Sequence, residues 1–245
     1  MEFSLKNYNP INYSKWDFSG LGANIYPILN NIERIIWREA IPFQDMRDDE
    51  GQGEIVTLFA LRLLDYANGK REIAIPAAML HDTGFSKIEN AGKRHRDMWV
   101  KGKTNNVSYR RIHQDFGVQI AKDILGRLDY NQSHIEEICA IIGDHDTRLK
   151  PTTESGKLMR DADILWRFTV PQFRCYGKIE VPSGSPAELL GNYKKVVGEP
   201  IFNIKEALLI ARIELANTLM YLFPNQAPAL LQDNYSVELD RLHRR

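Results

Sequence analysis

The chain has very little cysteine: Cys139 and Cys175 are the two in 245 residues. That is too few for the disulfide framework of a small secreted fold, and the opening MEFSLKNYNP lacks the basic and apolar regions of a signal peptide, so a reducing cytoplasm is the expectation. An excess of one charge is missing as well. Thirty-two Lys and Arg stand against 32 Asp and Glu, which argues against a nucleic-acid partner, whose footprint is a basic surplus. The longest apolar run, Ile73–Leu80, falls far short of the roughly 18 to 20 residues that span a bilayer, so no membrane helix is expected. There is no glycine-rich phosphate loop, no Ser or Cys nucleophile arrangement, no clustered-cysteine zinc pattern and no internal repeat. With 43% hydrophobic and 26% charged residues, the composition is that of a soluble globular protein.

What is present reads as helix. Residues 1 to about 30 mix aromatics with Asn, Ser, Gly and Pro without a sustained period, which predicts an irregular arm packed by its aromatics. A helix is expected over Ile28–Trp37, then a break at Pro42 and an acidic loop, DMRDDEGQG, ending near Gly53. Glu54–Tyr66 is apolar around nearly its whole circumference, the pattern of a central buried helix, and Pro76 is placed to open the next one, which carries AAMLHD into Gly84. From Lys87 to Arg111 eight basic side chains face two acidic ones, Glu89 and Asp97, in a polar stretch read as a loop. Helices are expected again at about 109–128, 133–145 and 157–169. Ser185 and Glu188 form a plausible capping box for a further helix to about Val197, and residues 204–222 close the core. The fold class is therefore all-α, in one domain over 1–245.

Six histidines are few enough to inspect singly. His81 and Asp82 leave adjacent positions where a helix runs out. His113 has Phe116, Gly117 and Ile120 at i+3, i+4 and i+7, so it begins an apolar face. His145 lies three residues after Ile142 and seven after Ile138, and Asp163 lies between Met159 and Trp166 on one face. His134 reads as surface and His243 as part of a polar tail. Each inward group alone could be a satisfied core residue. Burying several is costly without partners, and one shared cation is an economical solution.

Taken together, AMLHDTGFSK, IHQDFGVQIAKDILGRL, AIIGDHD and LMRDADILWRF resemble the motifs of the HD superfamily of metal-dependent phosphohydrolases, over about residues 54–168. The resemblance implies an HD-type helical bundle with 1–53 as an N-terminal extension and 169–245 as C-terminal helices. It implies one or two divalent metals (Mn, Mg, Fe, Co, Ni or Zn), with Asp82 bridging, His81 and Asp163 on the first and His113 and His145 on the second. The family has a further histidine 25 to 30 residues before the HD pair, and this chain has none before His81. Glu54 stands at about that place, with Asp48, Asp49, Glu50 and Gln52 near enough to compete; it also suits a helix-start acid favoured by the macrodipole. A carboxylate there would shift the site toward Mg, Mn or Fe.

Hydrolysis also needs positive groups around phosphoryl oxygens. Lys87 and the Lys93-Arg94-His95-Arg96 cluster are candidates on the stretch leaving the site, although a solvated basic loop explains them equally well. Arg160 precedes Asp163 by three and Arg148 follows His145 by three, so these two rank higher. Asp144, Asp146 and Asp161 are candidate supporting acceptors or bases. The expected activity is hydrolysis of a small phosphorylated substrate by a metal-activated water, with Asp82, Lys87 and Arg160 in the catalytic set and Lys93, Arg94, Arg96 and Arg148 on the substrate. The alternatives are an HD-fold di-iron oxygenase cleaving a C–C or C–P bond and a non-catalytic ligand-binding HD protein. A second copy of the chain is a possible partner through the C-terminal helix.

Overall fold

The computed structural model describes residues 5, 8–100, 107–178 and 201–232. Among them are ten α-helices and no strand. The helices are α1 (Asn31–Ala40), α2 (Gln52–Leu63), α3 (Arg71–Leu80), α4 (Ala91–Val100), α5 (Val107–Arg127), α6 (Gln132–Asp144), α7 (Glu154–Trp166), α8 (Val170–Lys178), α9 (Lys205–Leu222) and α10 (Ala227–Gln232). A short 3-10 turn, Thr83–Lys87, joins α3 to α4. No helix among the described residues is long and apolar enough to cross a membrane. The expected capped helix at 185–197 lies outside the described residues.

Two compact units divide the chain, residues 17–163 and residues 1–16 with 164–245. In the second, Glu214 of α9 is fully buried. It is held by the Tyr8 hydroxyl at 2.5 Å and the Ile11 N–H at 3.0 Å, while the Asn217 amide donates to Ile11 O at 2.8 Å. These bonds satisfy a carboxylate that would be costly to bury alone and fix the arm on α9.

The first unit carries the motifs. Helix α2 is buried on nearly every side, as its composition requires, and packs with α3, which also meets α1 and α6. At the start of α1, Asn30 accepts from the Glu33 N–H at 3.0 Å and Glu33 accepts from the Asn30 N–H at 2.8 Å, a reciprocal cap. Glu33 is also gripped by Arg71 at 2.7 and 2.8 Å, tying α1 to the first turn of α3.

Two expectations are corrected. Pro76 does not open α3 but sits inside it. Its missing N–H leaves the carbonyl of Glu72, four residues earlier, without a helical donor, and the Tyr130 hydroxyl donates to that oxygen at 2.7 Å. The basic stretch is not all loop either: Ala91–Val100 is helix, begun by the buried Ala91 and carrying an i,i+4 pair of Lys93 with Asp97 at 2.9 Å.

Candidate metal centre

Five elements of the first unit converge. His81 and Asp82 leave the C-terminus of α3, His113 comes from α5, His145 follows α6, Asp163 lies on α7 and Gln52 is the first residue of α2. His81, His113 and His145 are buried. Nδ1 of His81 lies 2.8 Å from Ala78 O and Nδ1 of His145 lies 2.8 Å from Ile142 O, each the carbonyl three residues back. In both rings this puts a proton on Nδ1 and turns Nε2 toward the cluster, the second hydrogen bond that metal-binding histidines need. The His113 ring is instead stacked on Phe85, centroids 4.0 Å apart.

Asp82 lies at the centre and its two oxygens face different ways. Oδ1 is 3.5 Å from Nε2 of His113 and 3.4 Å from Nε2 of His145. Oδ2 is 3.4 Å from Nε2 of His81, 3.0 Å from the Gln52 amide nitrogen and 2.5 Å from Nη2 of Arg47. Asp163 Oδ1 is 3.6 Å from His81 Nε2. On the other side Asp146 Oδ2 lies 3.5 Å from His113 Nε2 and 3.9 Å from His145 Nε2. Ligand atoms of His81, Asp82 and His145, and again of His113, His145 and Asp146, lie close enough together to hold a metal ion.

The electrostatics follow from this crowding. Burial favours protonation of Asp82, but Arg47 and His81 outweigh it and hold the carboxyl well below the usual range. Burial acts against protonation of His145, yet Asp146 and Asp82 raise it; for His81 the carboxylates of Asp82 and Asp163 do the same. Burial pushes His113 down to about 3, so this ring stays neutral. Competition from protons for an incoming cation is therefore weaker at His113 than at His81 or His145.

The structure turns Glu54 away from the cluster. Its Oε1 accepts from the Asn24 backbone N–H at 2.8 Å and the Asn24 side-chain amide at 2.9 Å. Residues two apart on a helix point about 200° apart, so Gln52 and Glu54 cannot both face the same site. Gln52 faces it, its amide nitrogen 3.0 Å from His81 Nε2 and 3.4 Å from Asp163 Oδ1. It lies 29 residues before His81, within the spacing at which the family has its histidine, and is one of the residues that competed with Glu54 in the sequence. Gly51, at φ +83°, provides the left-handed residue that starts α2 at this point.

Among the described residues, the cation that meets Asp82 is Arg47, which was not singled out in the sequence. The Arg47 guanidinium lies 2.8 Å from Asp49 and 4.2 Å over the Phe85 ring while it meets Asp82. Lys87 is exposed, its ammonium 5.8 Å from the Phe43 ring centre. Arg160 donates to the Arg148 carbonyl at 2.5 Å and the Leu149 carbonyl at 3.3 Å, fastening the turn after His145, and Arg148 pairs with Asp144. Lys93 and Arg94 are exposed on α4, and the Arg96 side chain lies outside the described residues.

Asp45, in the loop that carries Arg47, sits at φ +60° and accepts the Gly51 N–H at 3.0 Å. Burial, then Asp49, pushes its carboxyl up to about 7. A carboxyl raised in the fold costs stability as pH climbs from its unfolded value toward that point, and the cost is complete above it. Asp45→Asn keeps the acceptor and tolerates the backbone. It is expected to raise Tm at pH 8.5 and to leave it unchanged at pH 4, read by thermal melts at the two pH values.

Residues 54–167 match the family model of the HD domain. That match supports an HD-superfamily domain over this span, and HD domains as a group bind divalent metals. No curated protein and no solved structure matches the chain. Gln52 and Arg47 lie just before the matched span.

Proposed function

We propose that this protein is a metal-dependent phosphohydrolase acting on a small phosphorylated substrate. The observation that carries the reading is the Asp82 carboxylate, which presents Oδ1 to His113 and His145 at 3.5 and 3.4 Å and is kept ionised by Arg47 and His81. Asp82, His113, His145 and Asp146 together offer the mixed imidazole and carboxylate donors that suit Mn, Fe, Co, Ni or Zn. These residues would hold a divalent ion whose Lewis acidity would favour attack by water and stabilise charge on the phosphoryl oxygens.

The chain's own residues do the rest. His145 is oriented by its bond to Ile142 O, and His113 by the Phe85 ring. Asp146, half-buried beside both, has an oxygen placed to ligate or to accept a proton. Lys93 and Arg94 bring positive charge on α4 for an anionic substrate. Tyr109 packs against the Phe85, Ile88 and Ala91 cluster and donates to the Ala91 carbonyl at 3.3 Å, setting the start of α4 beside the ring that stacks on His113.

The test is phosphate release under anaerobic conditions from a panel of nucleotides and phosphomonoesters, using chelator-stripped protein reloaded with Mn, Co or Mg. Release that depends on added metal is the expected result. Dioxygen consumption with ferrous iron and no phosphate release would put the oxygenase reading in its place. Metal uptake with neither reaction would leave a binding protein.

A further inference from the structure

The two sides of Asp82 are not equivalent, and the difference is chemical. On the Oδ1 side the neighbours are His113, His145 and Asp146, all of which can give a lone pair to a cation. On the Oδ2 side the neighbours include two groups that donate hydrogens. The Gln52 amide nitrogen lies 3.0 Å from His81 Nε2, 3.0 Å from Asp82 Oδ2 and 3.4 Å from Asp163 Oδ1. It stands among three acceptors as a cation would. Arg47 adds a full positive charge 2.5 Å from the same Oδ2.

Arg47 is also poorly placed to leave. Asp49 accepts from its Nε at 2.8 Å and pairs with Nη2 at 2.8 Å, and Phe85 lies under the guanidinium. Its side chain is 16% exposed, so displacing it would leave a charge in a poorly hydrated place. A divalent ion on Oδ2 would have to share that oxygen with a fixed guanidinium and repel it at close range. An ion on Oδ1 meets neither obstacle.

We propose that the protein holds a single divalent ion, on Asp82 Oδ1, His113, His145 and Asp146, and that Gln52 and Arg47 take the place of a second ion beside His81 and Asp163. The inference rests on the metal-binding half of the functional reading and is independent of which reaction the ion serves. It disfavours the di-iron alternative, which needs both sides filled. His81 and Asp163 then act as acceptors for Gln52 and fix the orientation of Asp82, as positioning residues.

The experiment is an anaerobic Co(II) titration of the chelator-stripped protein, followed by calorimetry and visible absorption, with elemental analysis after gel filtration. One equivalent is expected in the native sequence. His113→Ala and the milder Asp146→Asn should each weaken Co(II) by about tenfold or more, a ligand loss being at least as severe as loss of an outer partner. Circular dichroism verifies that each variant is folded. Asp163→Asn should keep one equivalent with its spectrum unchanged, and Arg47→Ala with Gln52→His should admit a second.

Two equivalents in the native protein, or one that survives His113→Ala and Asp146→Asn but is lost in Asp163→Asn, would overturn the single-ion assignment while the metal-dependent reading stood. No uptake at all would overturn both.

Discussion

Asp82→Asn is expected to abolish metal uptake at micromolar Co(II) and to lower metal-dependent phosphate release by about a thousand-fold or more, since charge stabilisation and water activation both depend on the bound ion. The substitution is nearly isosteric, so shape is preserved and charge is what changes. Oδ1 faces two imidazole nitrogens at 3.5 and 3.4 Å, and an amide there offers a neutral oxygen or, turned round, two hydrogens. Neither replaces a carboxylate ligand. The same change reaches the other side of the residue. Arg47 would lose one of its two carboxylate partners and keep Asp49, so the metal-free protein should also lose about 2 kcal/mol of stability, less than the 3 to 5 of a wholly stranded buried charge. Calorimetric titration and a thermal melt without metal separate the two effects. Full metal occupancy in the variant would remove Asp82 from the centre.

Gly84→Ala is expected to be the most damaging single-methyl change in the first unit. A Cβ at Gly84 would lie 1.8 Å from the carbonyl oxygen of His113 and 2.5 Å from the N–H nitrogen of Gly117. Both obstacles are backbone, so no side chain can move aside. The turn after Asp82 and helix α5 touch through two glycines, since a Cβ at Gly117 would in turn be 3.3 Å from the His81 carbonyl oxygen. Relief requires α5 to shift, at a cost of about 3 kcal/mol. That corresponds to a fall in Tm of roughly 6 to 12 °C at this chain length. His113 moves with α5, so Co(II) affinity should fall too. A variant that melts like the native protein and binds metal as tightly would show that the two elements separate easily.

The glycine after HD and the glycine four residues after His113 were visible in the sequence, but only as parts of a resemblance. Their reason is the backbone contact, which joins residues far apart in the chain. Much else was legible locally. The burial of α2 follows from its uniformly apolar composition, and the inward placement of His113 and His145 follows from counting threes and fours along apolar stripes. The continuation of helix into the basic stretch was hidden because its basic and polar residues show no sustained apolar period. The start of α3 before Pro76 was hidden because the compensating donor, Tyr130, comes from beyond α5.

Three placements at the site share one cause: Gln52 rather than Glu54 faces Asp82, Arg47 meets Asp82, and Asp146 lies near His113 and His145. Spacing along a chain fixes which residues lie within reach of one another to about a turn. It does not fix the phase of a helix whose start depends on a left-handed glycine, nor the partner a long cationic side chain finds. By itself the sequence determined the all-α class, the helices that carry His81, Asp82, His113, His145 and Asp163, and the kinship those motifs express, because helical periodicity and motif order are local properties. The tertiary structure decided that Gln52 and Arg47 face Asp82 while Glu54 faces Asn24, because that choice is made by burial and charge pairing among groups that only the folded chain brings together.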